Sequence, residues 1–245
     1  MTHATVTPLT VQCHITARES LSANVTRVGL QGPNTLRYQA GQYLEIFVEV
    51  EGEARWLPFS IANACSNDGF LELHIELSPS SASLAALALQ LDTASVLTVR
   101  LPNGCCVLQE QDDRPLLLVA AATGMAQMKA IAEAALQQYP ERQVDLWWGA
   151  RTASDLYLDS ALRQWANATP ALSYFPVVEQ AEEHDVEGVV ARIDEALAQR
   201  IQQHNHYSIF LSGSPGMVYG VVDSLAKIEP MTEQVFSDVF SYAPR

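Results

Sequence analysis

The chain has 245 residues, enough for one large domain or two of ordinary size, and is 48% hydrophobic with mean hydropathy near zero. Its formal charge of −14, from 14 basic and 28 acidic residues, argues against non-specific nucleic-acid binding, which depends on Lys and Arg neutralising phosphates. The longest apolar runs, such as LLLVAAA (116–122), fall far short of a membrane span, and the N-terminus lacks a basic-then-apolar leader. A cytoplasmic protein with neither membrane nor nucleic-acid partner is therefore expected.

Residues 5 to about 108 read as short strands separated by turn residues: TVQCHITA, NVTRVGLQGPN, GQYLEIFVEV, FLELHIEL and SVLTVRLPNG. Closely spaced strands of this kind predict an antiparallel barrel or sandwich. ARWLPFSIANA (54–64) is a further strand-like run, interrupted by Pro58, which cannot donate to a sheet ladder and so fits poorly in a central strand. SASLAALALQL (81–91) has helical propensity and is expected to cross one end of the barrel. QEQDDRP (109–115) is charged, poor in apolar residues and closed by proline, as a linker would be.

Beyond the linker the rhythm changes to strand then helix, four times over. PLLLVAAAT, QVDLWWGAR, LSYFPVVEQ and YSIFLSGS are the strands. GMAQMKAIAEAALQQY, ASDLYLDSALRQWAN, VEGVVARIDEALAQRI and PGMVYGVVDSLAKI are the helices that follow them. Apolar strands alternating with amphipathic helices predict a parallel sheet covered on both faces. The expected architecture is an N-terminal antiparallel Greek-key β-barrel (1–110) followed by a doubly wound parallel α/β domain (111–245). The acidic run VEQAEEHDVEG (178–188) reads as a solvated loop or helix approach.

No cysteine pair has metal-ligand spacing, and Cys105–Cys106 reads as two small residues at a strand start in a reducing compartment. His204-Asn205-His206, without a carboxylate or cysteine in register, reads as a solvated loop. In doubly wound sheets ligands bind beyond the carboxyl ends of the strands, where strand order reverses. Three strands end there in small-residue turns that open toward helices: AAATG (120–124), WWGAR (147–151) and SGSPGM (212–217). Each alone is an ordinary turn or capped helix start; together they suit a pyrophosphate and ribose, with Arg151 supplying a cation. The usual G-x-G-x-x-G fingerprint is absent.

Taken in order, AGQYLEIFV, LPFSIANA, FLELHI, LPNG, RPLLLVAAATGM, LWWGARTASDLY, LSGSPGMV and VFSDVF resemble the ferredoxin–NADP reductase superfamily, nearest its small bacterial NAD(P)H–flavin reductases. The resemblance spans nearly the whole chain. It implies hydride transfer from NADH or NADPH to a flavin (FAD, FMN or riboflavin) in a cleft between the domains. The acceptor beyond the flavin would be free flavin, a monooxygenase or another redox protein. Two further readings fit the same resemblance: an FAD-containing reductase subunit serving a protein partner, and a non-catalytic flavin-binding descendant.

Residue by residue, the resemblance implies that Ser60 hydrogen-bonds flavin N5 while Pro58 and Phe59 wall the ring. Arg55, Ile61, His74, Ile75 and Ser78 join the flavin side. Thr123 and Gly124 would lie beneath nicotinamide and pyrophosphate, and Gly149 and Arg151 would meet the adenosine. Ser212, Gly213, Ser214, Pro215 and Met217 would face the nicotinamide, with Phe240 near the flavin and Phe236 or Tyr242 as alternatives. Three places depart from the family pattern. Leu57 stands where an arginine is usual, and Arg55 lies on the same face of the strand by alternation. Glu76 replaces a glycine, and Ala121-Ala122 replaces a Gly-Gly pair, where methyl groups would obstruct if the backbone needs positive φ.

Overall fold

Alternation in the first half does what period-two patterns require, most clearly over Tyr43–Val50 and Val96–Asn103, where every second side chain points into one core. Six strands form, β1 (Leu9–Ser20), β2 (Val25–Gln31), β3 (Tyr43–Val50), β4 (Glu53–Ser60), β5 (Phe70–Glu76) and β6 (Val96–Asn103). The computed structural model describes residues 7–78, 81–109, 112–180, 188–231 and 233–245. The strands pair antiparallel in the order β4-β3-β6-β1-β2-β5. Leu44, Ile46 and Val48 of β3 meet Leu97, Val99 and Leu101 of β6 in the interior. The sheet is a curled half-barrel, and its two edge strands are joined by one isolated bridge, Ile61 to Leu73.

That topology accounts for Pro58. Strand β4 is an edge strand, so the missing N–H removes no ladder bond on its open side. Leu57 and Phe59 turn inward onto the barrel core. Helix α1 (Ala82–Thr93) starts where the Ser81 side chain accepts from the Leu84 N–H, and it plugs the barrel with Leu87 and Leu91.

The second half contains β7 (Leu116–Ala121), α2 (Met125–Gln138), β8 (Val144–Ala150), α3 (Asp159–Ala168), β9 (Leu172–Val178) and β10 (Val189–Val190). It continues with α4 (Ile193–Arg200), β11 (Ser208–Ser212), α5 (Pro215–Ala226), β12 (Val235–Phe236) and α6 (Val239–Tyr242). All strand pairs are parallel, in the order β10-β9-β8-β7-β11-β12. Strand β7 is covered on both faces: Leu116, Leu118 and Ala120 join one core cluster, Leu117 and Val119 the other. Strand order reverses between β7 and β11, which places the crevice beyond Ala121 and Ser212. The linker end is tied down, since Arg114 grips Asp112 at 2.6 and 2.7 Å and Ser208 donates to the same carboxylate. Among the described residues no helix is long and apolar enough to cross a membrane.

Several local expectations need correction. The helix expected over 153–167 is broken: a single 3-10 turn at Ala153–Asp155, closed by a Thr152–Asp155 capping box, precedes α3. The helix expected over 186–201 begins only at Ile193, because Val189 and Val190, both β-branched, pair with Val177 and Val178 instead. Cys105 and Cys106 follow the end of β6 rather than starting a strand. His204 is no solvated residue. It is 1% exposed, and its Nε2 lies 3.0 Å from the Leu225 carbonyl and 3.2 Å from the Glu229 carbonyl at the end of α5. Of the acidic run, residues 181–187 lie outside the described residues.

The plug role of α1 predicts a sharp contrast between two of its leucines. Leu87→Ala, at a fully buried position, should cost about 2–5 kcal/mol in chemical unfolding. Leu89→Ala, 65% exposed one turn face away, should stay within about 0.5 kcal/mol.

Candidate functional site

A cleft runs between the end of β4 and the crevice of the parallel sheet. One part, about 620 Å³, is walled by Pro58, Phe59 and Ser60, by Ser212 and Gly213, and by Tyr43, Asp238 and Tyr242. Across the same Pro58–Ser60 segment a smaller part, about 270 Å³, is lined by His74, by Ala121 to Gly124 and by Ser214. The edge-strand proline and the topological switch point therefore face one space.

The turn after β7 carries the tightest geometry. Ala121 is extended (φ −129°), so its methyl group needs no special backbone. Ala122 sits at φ +49°, the left-handed region that disfavours a Cβ. Its carbonyl accepts from the Trp148 indole N–H at 3.0 Å. At Gly124 a Cβ would collide with the Ser212 carbonyl, so glycine lets α2 start directly against β11. Ser214 caps α5 by accepting from the Met217 N–H, and Pro215 occupies the first helical position.

The chemistry of the donors suits a planar heteroaromatic ring with polar edges. The hydroxyls of Ser60, Thr123 and Ser212 border the cleft and make no hydrogen bond to another described residue. Gly104 (φ +90°) leaves room beside Tyr43 and Asp238 that a Cβ would fill, at 3.0 and 3.1 Å from them. The lining combines an apolar wall with free donors, and the residues present thus fit a flavin and a nicotinamide. Among the described residues no Lys or Arg lines either part.

Beneath the cleft an ion cluster joins the two domains. Lys129 of α2 reaches the Ala62 carbonyl at 2.9 Å, Glu72 of β5 at 3.2 Å and Glu133, one turn on, at 2.7 Å. Glu133 accepts the Ala64 N–H at 3.1 Å, and Arg27 adds a second cation to Glu72 at 3.2 Å. Burial works against the Glu72 carboxylate, but the His74 hydrogen bond and the Lys129 charge outweigh it and hold its pKa at about 2. An ionised Glu72 only accepts, so His74 Nε2 donates to it (3.0 Å), while His74 Nδ1 shares a hydrogen bond with the Tyr157 hydroxyl (3.3 Å). Burial also pushes the Tyr157 phenol well above its ordinary value, which keeps that hydroxyl a donor. A second join lies at the other end of the cleft. Gln127 of α2 donates to the Gly41 carbonyl and to Asp238 (2.8 Å), and Asp238 accepts the Cys105 N–H (3.1 Å).

Of the residues named from sequence, Pro58, Phe59, Ser60, His74, Thr123, Gly124, Ser212, Gly213 and Ser214 line this cleft together. Met217 packs over Gly213 from behind. Arg55 does not line it: the guanidinium pairs with Glu53 at 3.1 Å near the far end of β4. Ile61 and Ile75 are fully buried in the barrel, so only their backbones are available to a ligand. Ser78 lies just past the end of β5, and Glu76 is exposed at that end. Gly149 is buried, and a Cβ there would press on Ile193 of α4 at 3.1 Å, so packing explains it. Arg151 is exposed beyond β8. Phe240 packs on Tyr219 and Phe236 stacks on Phe210, whereas Tyr242, 66% exposed, lines the cleft. Sequence reading missed Gln127, Asp238, Trp148 and Tyr157, whose roles depend on hydrogen-bond partners 26 to 133 positions away.

Residues 12–107 match the family model described as an oxidoreductase FAD-binding domain, and residues 118–223 the one described as an oxidoreductase NAD-binding domain. The NAD(P)H-flavin reductase of Vibrio harveyi is 29% identical over 240 residues, 96% of this chain and 100% of its own length. Reductase component 2 of a Comamonas terephthalate 1,2-dioxygenase is 28% identical over 221 residues, 90% of this chain and 65% of its own. The crystal structure of the Amycolatopsis cytochrome P450 reductase GcoB superposes with a TM-score of 0.83 at 25% identity, covering 94% of this chain and 69% of that one.

The depressed Glu72 pKa gives the interdomain cluster a defined pH window. Its stabilisation is complete above the unfolded carboxyl value of about 4.5 and is lost as pH falls toward 2. Glu72→Gln should cost about 3–5 kcal/mol at pH 7, leaving Lys129 underpaired. Melting temperatures of the two proteins should converge as the pH is lowered from 6 to 3; a constant gap would contradict the assignment.

Proposed function

The chain belongs to the ferredoxin–NADP reductase superfamily, and on that footing we propose that it is a flavin reductase, passing hydride from NAD(P)H to a flavin in the interdomain cleft. The observation that carries this reading is the single space shared by the Pro58-Phe59-Ser60 edge and the β7/β11 switch point. A division into a flavin domain (1–110) and a nicotinamide domain (111–245) is part of the proposal. So is a cytoplasmic setting, in keeping with four unpaired thiols.

Bound flavin and nicotinamide supply the hydride acceptor and donor, so the chain needs no strong acid or base of its own. Ser60 offers its free hydroxyl as a hydrogen-bond donor where negative charge develops. Pro58 and Phe59 form the apolar wall that orients the ring and excludes water. Thr123 and Ser212 present hydroxyls from the opposite side, and Gly213 keeps the approach open. A cleft lined by no Lys or Arg offers a flavin phosphate no ion pair, because Leu57 is spent on barrel packing and Arg55 on Glu53. The flavin is therefore exchanged as a substrate and recognised by its ring. The reduced flavin would serve an oxygenase, the kind of system that the Comamonas and Amycolatopsis relatives serve by name.

Steady-state oxidation of NADH and NADPH with riboflavin, FMN and FAD tests the proposal. Turnover should require added flavin after dialysis, and the KM for riboflavin should lie within about threefold of that for FMN, less than a surface ion pair of about 1 kcal/mol provides. A protein that stays yellow through dialysis would instead hold its flavin as a prosthetic group. Ser60→Ala should lower kcat roughly 10- to 100-fold while flavin KM changes little, as expected for a donor that acts on developing charge.

A further inference from the structure

An unbroken chain of side-chain contacts runs from the Ala122 turn into the flavin-side sheet. The Trp148 indole donates to the Ala122 carbonyl at 3.0 Å. The indole ring meets Tyr157 edge-to-face at 4.9 Å, and Tyr157 meets His74 edge-to-face at 5.4 Å. The Tyr157 hydroxyl bonds His74, and His74 bonds Glu72, which Lys129 and Arg27 hold. Trp148 is fully buried and the His74 side chain has no exposure, so neither can be satisfied by water. The break between the 3-10 turn and α3 is what delivers Tyr157 to both rings.

We propose that Trp148, Tyr157 and His74 are positioning residues that hold the Ala122 turn in its left-handed conformation and tie it to β5, setting the nicotinamide-facing turn at a fixed place relative to the flavin wall. The proposal rests on the flavin reductase reading for what the turn binds. Its physical need is specific to an alanine. Glycine adopts φ +49° freely, whereas in an L-residue the Cβ crowds the following carbonyl oxygen there, and something must compensate. The indole hydrogen bond to the same residue's carbonyl is that compensation, and the Tyr157–His74 link prevents the indole from swinging away with its strand.

A cycle of variants separates positioning from mere packing. NADH binding to the full-length flavin-free protein is followed by NADH fluorescence, alongside melting temperature and the KM values for NADH and flavin. Trp148→Phe should weaken NADH binding about tenfold, the equivalent of one hydrogen bond, with flavin KM unchanged. In the Ala122→Gly background the same substitution should weaken NADH binding less than threefold, because glycine no longer needs the indole. Tyr157→Phe, which keeps the ring and loses only the hydroxyl, should raise the NADH Kd in the same direction by a smaller factor, and it gives the test a milder variant should Trp148→Phe unfold. Equal losses in the Ala122 and Ala122→Gly backgrounds, or a lowered melting temperature with unchanged NADH Kd in both variants, would overturn the relay alone. A wild-type protein that binds no NADH or NADPH would overturn the functional reading together with it.

Discussion

Glu72 is a carboxylate buried at the boundary of two domains, and its charge is held by a hydrogen bond along its own strand and by cations from two other segments. Lys129 arrives from α2, Arg27 from β2 and His74 from two residues along its own strand. A buried charge with one partner displaced is heavily penalised, so such a cluster tolerates little change in the separation of its parts. Because α2 starts at the turn that closes the crevice, fixing Lys129 against β5 also fixes that turn against the Pro58–Ser60 wall of the cleft. The width of the cleft is thus an electrostatic consequence as much as a packing one. Gln127 and Asp238 repeat the device at the opposite end of the space with hydrogen bonds instead of ions.

Close backbone approach supplies the remaining constraint. Gly124 lets the first turn of α2 rest on the Ser212 carbonyl, and that contact brings the carboxyl ends of β7 and β11 together at the point where strand order reverses. Alanine at 121 and 122 proves to be two different cases. The first lies in extended backbone and is innocuous; the second needs a left-handed conformation and has an indole donor placed on its carbonyl. A substitution that obstructs in one backbone state is thereby accommodated by a neighbour 26 positions away.

The barrel edge shows how one residue serves two purposes. Pro58 is acceptable in β4 because that strand has an open side, and the open side is where the cleft lies. The same strand turns Leu57 and Phe59 inward for the core, which leaves the position of the family's arginine devoted to burial rather than charge.

By itself the sequence determined the succession of elements. Period-two runs became the half-barrel, apolar strands alternating with helices became the parallel sheet, and Pro58 and Ser214-Pro215 marked an unsuitable place for a central strand and a helix start. These are local properties, set by backbone sterics, side-chain period and hydrogen-bonding capacity within a few residues. Only the tertiary structure decided which side chains meet. It moved Arg55 away from the cleft, spent Gly149 on Ile193 and Phe240 on Tyr219, buried His204 beneath α5, and brought Trp148, Tyr157, Gln127 and Asp238 to the site. The physical reason is that burial and hydrogen bonding across 26 to 133 residues depend on how layers stack and at what register, which no short window of sequence encodes.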